Sequence, residues 1–202
     1  MSAAVPDRHG LGIDRPVRRR TLLLATVSGL VVAGLGARSA EAATDDELAY
    51  ADFGLAAAYL AADYYVHALD ADKLGADARR TLRSGRAASL SQARALSDLI
   101  TGAGDTPAAS EDFAFEWPAK AFDTATATRT TGLDVLRPTL GAYQSAVAAV
   151  SESSYRMLYA SLVASLGQQV GALVGSVGER VETFPPALDL ERASDALEGY
   201  LG

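Results

Sequence analysis

The chain has 202 residues, of which 49% are hydrophobic, and this length suits one domain with an additional segment. The absence of cysteine excludes disulfides and thiolate metal sites. With only two histidines, one of them His9 near the N-terminus, a metal centre built on several imidazoles is also excluded. Alanine, which has the highest helix propensity, dominates the apolar fraction, so the composition predicts an all-α protein.

Residues 1–42 have the pattern of a targeting segment, which is removed from the folded protein. Several arginines precede an uncharged apolar run at residues 22–36. This run is shorter than the roughly 20 residues that a transmembrane helix needs. It is followed by Ala40 and Ala42, which form a small-x-small cleavage site around Glu41. The pattern therefore predicts a cleaved leader, with an uncleaved anchor as the alternative.

The basic part of the leader contains the string RRRTLLL, which resembles the twin-arginine signal. In this reading Arg19 and Arg20 form the pair, and an ordinary secretory signal is the alternative. We expect export by the twin-arginine route into the medium or the cell envelope. The export machinery would then be a partner of the precursor.

Removal of the leader leaves an acidic domain, residues 43–202. The leader contains six arginines and three carboxylates, so 12 basic and 22 acidic residues remain, and the net charge becomes −10. A surface of this charge repels phosphate backbones, and we expect no nucleic-acid partner.

The first predicted helix begins at a capping box formed by Thr44 and Glu47 and extends to about Leu69. Two neighbouring apolar stripes predict burial on more than one side. Its tyrosines are interpreted as packing residues, with a redox stripe as the alternative; they are Tyr50, Tyr59, Tyr64 and Tyr65. Near its end, His67 has carboxylates three and four residues away. It is interpreted as a favourable partner of the helix dipole, or else as a surface metal ligand.

A second helix is predicted from about Ala76 to Leu99, ending before Gly102. Its apolar seam contains two polar residues, Ser89 and Gln92. The connection at residues 102–122 is rich in aromatic side chains, which predicts packing across the helices, with an aromatic-lined ligand mouth as the alternative.

The remaining sequence predicts two more long helices and a short terminal one. The third covers roughly Thr124 to Val150, and Pro138 should kink or break it. The fourth runs from about Ser153 to Val177, and a short helix follows within residues 189–201. Four long amphipathic helices with a long second connection predict a four-helix bundle with one crossover.

This arrangement resembles ferritin-like proteins of the exported, single-domain bacterial kind. The resemblance covers nearly the whole chain after the leader. It depends on helix order and on the strings LAAAYLAADYY, EDFAFEWP, TLGAYQSA and ASLVASLGQQVGAL. Metal-binding members hold two metal ions in the core, and each half supplies a carboxylate from one helix and a Glu-x-x-His pair from the next.

The positions that match this ligand set carry neither carboxylates nor imidazoles. They are Ala58, Ser89, Gln92, Leu136, Leu166 and Gln169. The resemblance thus implies a lost metal site, and we expect no cofactor. The two glutamines are interpreted as amides that hydrogen-bond to neighbours and fix the register, or else as ligands of a small polar molecule.

Taken together, these observations predict an exported ferritin-like protein that acts as a non-catalytic structural or interaction module with an unidentified protein partner. Self-association is compatible with the wide apolar surface of the first helix. One alternative is a metal-dependent oxidoreductase or metal-storage protein with a relocated site. Another is a small-ligand binder that uses the bundle cavity.

Overall fold

The computed structural model describes residues 44–174 and 184–202. The predicted signal, with Arg19, Arg20, Ala40 and Ala42, lies outside the described residues, as does the predicted end of the fourth helix at Val177. Within the described part the chain has no β-strand, and this confirms the predicted all-α class. Its α-helices are α1 (Asp45–Asp70), α2 (Ala76–Gly102), α3 (Ala125–Ala149), α4 (Ser153–Val174) and α5 (Leu190–Glu198).

Side-chain caps define where several helices begin. At the start of α1, Thr44 Oγ1 accepts from the Glu47 amide at 3.3 Å, and Glu47 Oε2 accepts from the Thr44 amide at 2.9 Å. This confirms the predicted capping box. Thr124 and Asp189 cap α3 and α5 with single side-chain acceptors, which satisfy amides that have no partner within the helix.

One helix boundary and one predicted interruption differ from the sequence prediction. Helix α2 continues through Gly102, and the chain turns away at Gly104, whose φ of 89° suits glycine. Helix α3 continues through Pro138 as one element, so the predicted break is wrong. Tertiary packing compensates for the backbone donor that proline lacks, since α3 lies against α1, α4 and α5.

The helices pack in antiparallel pairs around one apolar core. Helix α1 packs most extensively on α2, α3 pairs with α4, and α1 with α3 and α2 with α4 make smaller contacts. Tyr64 at the end of α1 donates to the Thr128 carbonyl at 3.0 Å, and Tyr143 late in α3 donates to the Gly54 carbonyl at 3.2 Å. The end of α1 therefore faces the start of α3, and the start of α1 faces the end of α3.

The connection between α2 and α3 packs against the helices, as predicted. Phe115, Trp117 and Phe122 are partly buried against the core. The C-terminal residues hold this connection in place, because the Glu116 amide donates to the Tyr200 carbonyl at 2.9 Å. Phe115 and Leu201 form an isolated antiparallel bridge in the same region.

Candidate functional site

The positions predicted to replace the metal ligands are all buried in the core. Their exposed fractions range from 0% to 9%; they are Ala58, Ser89, Gln92, Leu136, Leu166 and Gln169. They come from α1, α2, α3 and α4, so each of the four long helices contributes at least one. Three of these side chains are hydrocarbon and offer no lone pair to a metal ion.

The two glutamines bind different neighbours and not each other. Gln169 Oε1 accepts from the Tyr65 hydroxyl at 2.8 Å, which joins α4 to α1. Gln92 Nε2 donates to Ser165 Oγ at 3.1 Å, which joins α2 to α4. Tyr65 can reach Gln169 because Gly85 leaves room for it: a Cβ there would lie 2.7 Å from the tyrosine hydroxyl. These bonds fix the relative register of the helices.

The residues in this seam do not fit a di-metal centre. Divalent iron and manganese require anionic oxygen or imidazole ligands, whereas the seam contains amides, a hydroxyl and hydrocarbon. Burial raises the pKa of the Tyr64 and Tyr65 hydroxyls, so neither phenol supplies a phenolate near neutral pH. Across residues 44–174 and 184–202, no three His, Asp or Glu side chains converge in a way that could hold a metal ion.

A second group of polar side chains lies near the C-terminal end of α1. This group, the rim, consists of Asp63 and His67 with Trp117. Trp117 Nε1 donates to Asp63 Oδ2 at 2.8 Å, and His67 Nδ1 lies 3.3 Å from the same oxygen. The His67 ring stacks on Phe122 with ring centroids 5.4 Å apart. Asp63 thus orients both the indole and the imidazole. The sequence pointed to His67 and Asp63, whereas the connection that contains Trp117 was predicted to pack across the helices, with an aromatic-lined ligand mouth as the alternative.

This rim forms one wall of a surface groove of about 320 Å³ between α1, α2 and the connection. Tyr59 and His67 of α1, Arg86 and Leu90 of α2, and Phe113 and Phe115 of the connection line it. A second cavity of about 460 Å³ lies at the start of α2 and is bordered by Gly75 and Arg129. Neither Gln92 nor Gln169 lines either cavity.

Glu47 is a buried carboxylate whose wider role the sequence did not reveal. Its Oε1 accepts from the Ser151 amide at 2.9 Å, the Ser151 hydroxyl at 3.1 Å and the Glu152 amide at 3.2 Å. Burial by itself would raise its pKa, but these bonds and the one from Thr44 outweigh burial and lower the pKa to about 2. Glu47 therefore ties the start of α1 to the turn between α3 and α4.

Comparison with known proteins adds no relative from which a function could be transferred. The chain has no match among protein-family models. No curated protein matches it significantly either.

Proposed function

We propose that this chain is an exported ferritin-like four-helix bundle that has lost its metal site and acts through contacts rather than by catalysis. One observation carries the proposal: the interior is neutral and filled at the positions where the family places its ligands. Ala58, Leu136 and Leu166 provide hydrocarbon there, and Gln169 is held by Tyr65. The antiparallel helix pairs and the long connection after α2 support the one-crossover arrangement.

Metal content tests this proposal against a relocated metal site. The purified protein, produced in medium supplemented with iron and manganese, is expected to contain far less than one ion per chain. The double variant Asp63→Asn/His67→Gln removes the rim pair and serves as the control. A stoichiometric ion that this variant loses would overturn the proposal and establish a relocated site. A stoichiometric ion that survives in the variant would overturn it equally.

The outer face of α4 supports a role in protein contacts. No charged residue occurs from Met157 to Val174, and the Met157 side chain is 74% exposed. Within the described residues, α4 is also the one helix long and apolar enough to cross a membrane by length and composition. Leu162 and Leu166 pack in the core, but only 39% of its most apolar window is buried, so core packing by itself does not account for that composition. Contact on this face would leave no charge desolvated.

Sedimentation over a range of concentrations tests self-association through this face. If a second copy binds there, Ala164→Glu should abolish the association, because it places a charge in the contact. Ala87→Glu on the exposed face of α2 is the matched control and should leave association unchanged. A protein that stays monomeric at every concentration would refute the self-association and leave another protein as the partner.

Export is tested by substitutions in the leader. Arg19→Lys with Arg20→Lys should retain the precursor in the cytoplasm, because lysine keeps the charge but not the planar guanidinium. Arg8→Lys with Arg15→Lys is the matched control and should be exported normally. Mass spectrometry of the exported protein should find Ala43 at its N-terminus. Export of both double variants would contradict the twin-arginine route.

A further inference from the structure

The groove between α1, α2 and the connection combines aromatic walls with one cationic side chain. Phe113 and Phe115 lie parallel, with ring centroids 5.9 Å apart and an interplanar angle of 5°. Tyr59 extends this wall, and its ring centroid lies 5.8 Å from that of Phe113. Arg86 and Leu90 border the groove from α2. A volume of about 320 Å³ is at the small end of the range for ligand pockets and suits a ligand with one or two rings.

Arg86 is the cation available to a ligand in this groove. Two other arginines on α2 are already paired with carboxylates. The Nη1 atom of Arg79 lies 3.2 Å from Asp72 Oδ1, and the Nη2 atom of Arg80 lies 2.7 Å from Asp77 Oδ1. Within the described residues, Arg86 has no carboxylate within ion-pair distance, although it is exposed in a domain of strongly negative charge. An unpaired guanidinium beside an aromatic wall favours an anionic ligand.

The carboxylate that borders the groove does not cancel this preference. Asp63 already accepts a hydrogen bond from Trp117 and pairs with His67, and both contacts use its Oδ2 oxygen. The Oδ2 oxygen of Asp63 is therefore already engaged by the indole and the imidazole. Ala62 and Val66 also line the groove, and their apolar side chains add to a surface suited to a planar hydrocarbon.

We propose that this groove binds a small aromatic carboxylate. Its ring lies against Phe113 and Phe115, and its carboxylate pairs with the Arg86 guanidinium in the two-pronged geometry that arginine favours. The groove lies outside the core, so this binding is independent of whether the interior holds a metal or whether the chain is exported. The ligand site would therefore remain if the interior were found to hold a metal ion, or if the chain were found not to be exported.

Titration of the full chain with phenylacetate tests the site. Trp117 is the only tryptophan in the chain and contacts both Asp63 and His67, so its fluorescence reports on the groove. Calorimetry gives the dissociation constant independently. We expect saturable binding with one site per chain. Phenylacetamide, which has the same ring and no charge, should bind about tenfold more weakly because it lacks the charge-assisted contact.

Two arginine variants separate this site from general attraction to basic residues. Arg86→Gln should weaken phenylacetate binding by about tenfold, whereas Arg83→Gln, on the same helix but outside the groove, should change it by less than about twofold. Phe113→Ala tests the aromatic wall and should also weaken binding, with circular dichroism verifying that each variant folds. Absence of saturable binding, or equal losses in the two arginine variants, would overturn the proposal.

Discussion

Replacement of Glu47 by glutamine should destabilise the fold by an amount that depends on pH. Glu47 is only 4% exposed as a residue, and its carboxylate accepts four hydrogen bonds, from Thr44, Ser151 and Glu152. Its pKa falls from an ordinary 4.5 to about 2. At 1.36 kcal/mol per pKa unit, this shift corresponds to roughly 3 kcal/mol. Because the side chain lies at the end of the helices and not deep in the core, solvent screening reduces the figure to about 2 kcal/mol.

The direction of the pH dependence follows from the lowered pKa. The folded state holds the carboxylate ionised more strongly than the unfolded state does, so this stabilisation is complete above pH 4.5 and is lost as the pH falls towards 2. Urea denaturation of the wild type and of Glu47→Gln at several pH values measures the free energy of unfolding. We expect a difference of about 2 kcal/mol at neutral pH that shrinks through this window.

A neighbouring carboxylate provides the control for this experiment. Asp46 lies one residue earlier in the first turn of α1 and is exposed. Asp46→Asn should cost less than about 1 kcal/mol, since it removes only an interaction with the helix dipole. Equal effects of the two substitutions would show that Glu47 acts through the dipole alone. A difference at Glu47 that persists unchanged near pH 2 would also refute the reasoning, because a protonated carboxylic acid no longer accepts the same bonds.

Three further predictions concern the core, each measured by urea denaturation. Gly85→Ala should destabilise the fold by about 1–3 kcal/mol, because the added Cβ would overlap the Tyr65 ring. Gly171→Ala is the control and should be neutral or stabilising, because there is open space around its Cβ. Equal losses of stability in the two variants would contradict this packing. Tyr65→Phe should cost about 1–2 kcal/mol, because the Gln169 carbonyl loses its donor, and adding Gln169→Leu should recover part of that loss. Strictly additive losses would argue against the pair. Ser89→Ala should be neutral or stabilising, since the buried Ser89 hydroxyl has no hydrogen-bond partner among the described residues. A loss above about 1 kcal/mol would instead indicate a bound water molecule or small ligand at Ser89.

The features that could be predicted from sequence depend on residues close together in the chain. The capping box requires Thr44 and Glu47 to be three residues apart, and the apolar seams repeat every three or four residues. Such signals located the helices and placed Gln92 and Gln169 in the interior. At Pro138 a local rule predicted a kink or a break, and the break is wrong because the contacts of α3 with neighbouring helices keep it as one helix.

The features that escaped prediction depend on the register between distant segments. Glu47 and Ser151 are 104 residues apart, and no local pattern reveals that one accepts from the other. The partners of the two glutamines, Tyr65 and Ser165, likewise depend on how helices are placed along one another. The aromatic connection predicted packing in general, but its contact with Asp63 and its bridge to the C-terminus follow only from the folded arrangement.

The distribution of ionisable groups explains why an interior without metal ligands is stable. Several carboxylates in one enclosed seam repel each other and need metal ions or protons to compensate their charge. In this chain the buried phenols of Tyr143 and Tyr159 have raised pKa values because of burial, so they stay neutral, and the seam amides carry no charge. The core therefore needs no counter-ion. Among the charged groups, Glu47 lies at a helix end and Arg86 borders the surface groove. The hydrogen bonds of Glu47 engage it within the fold, whereas Arg86 has no carboxylate partner among the described residues and can pair with a ligand in the groove.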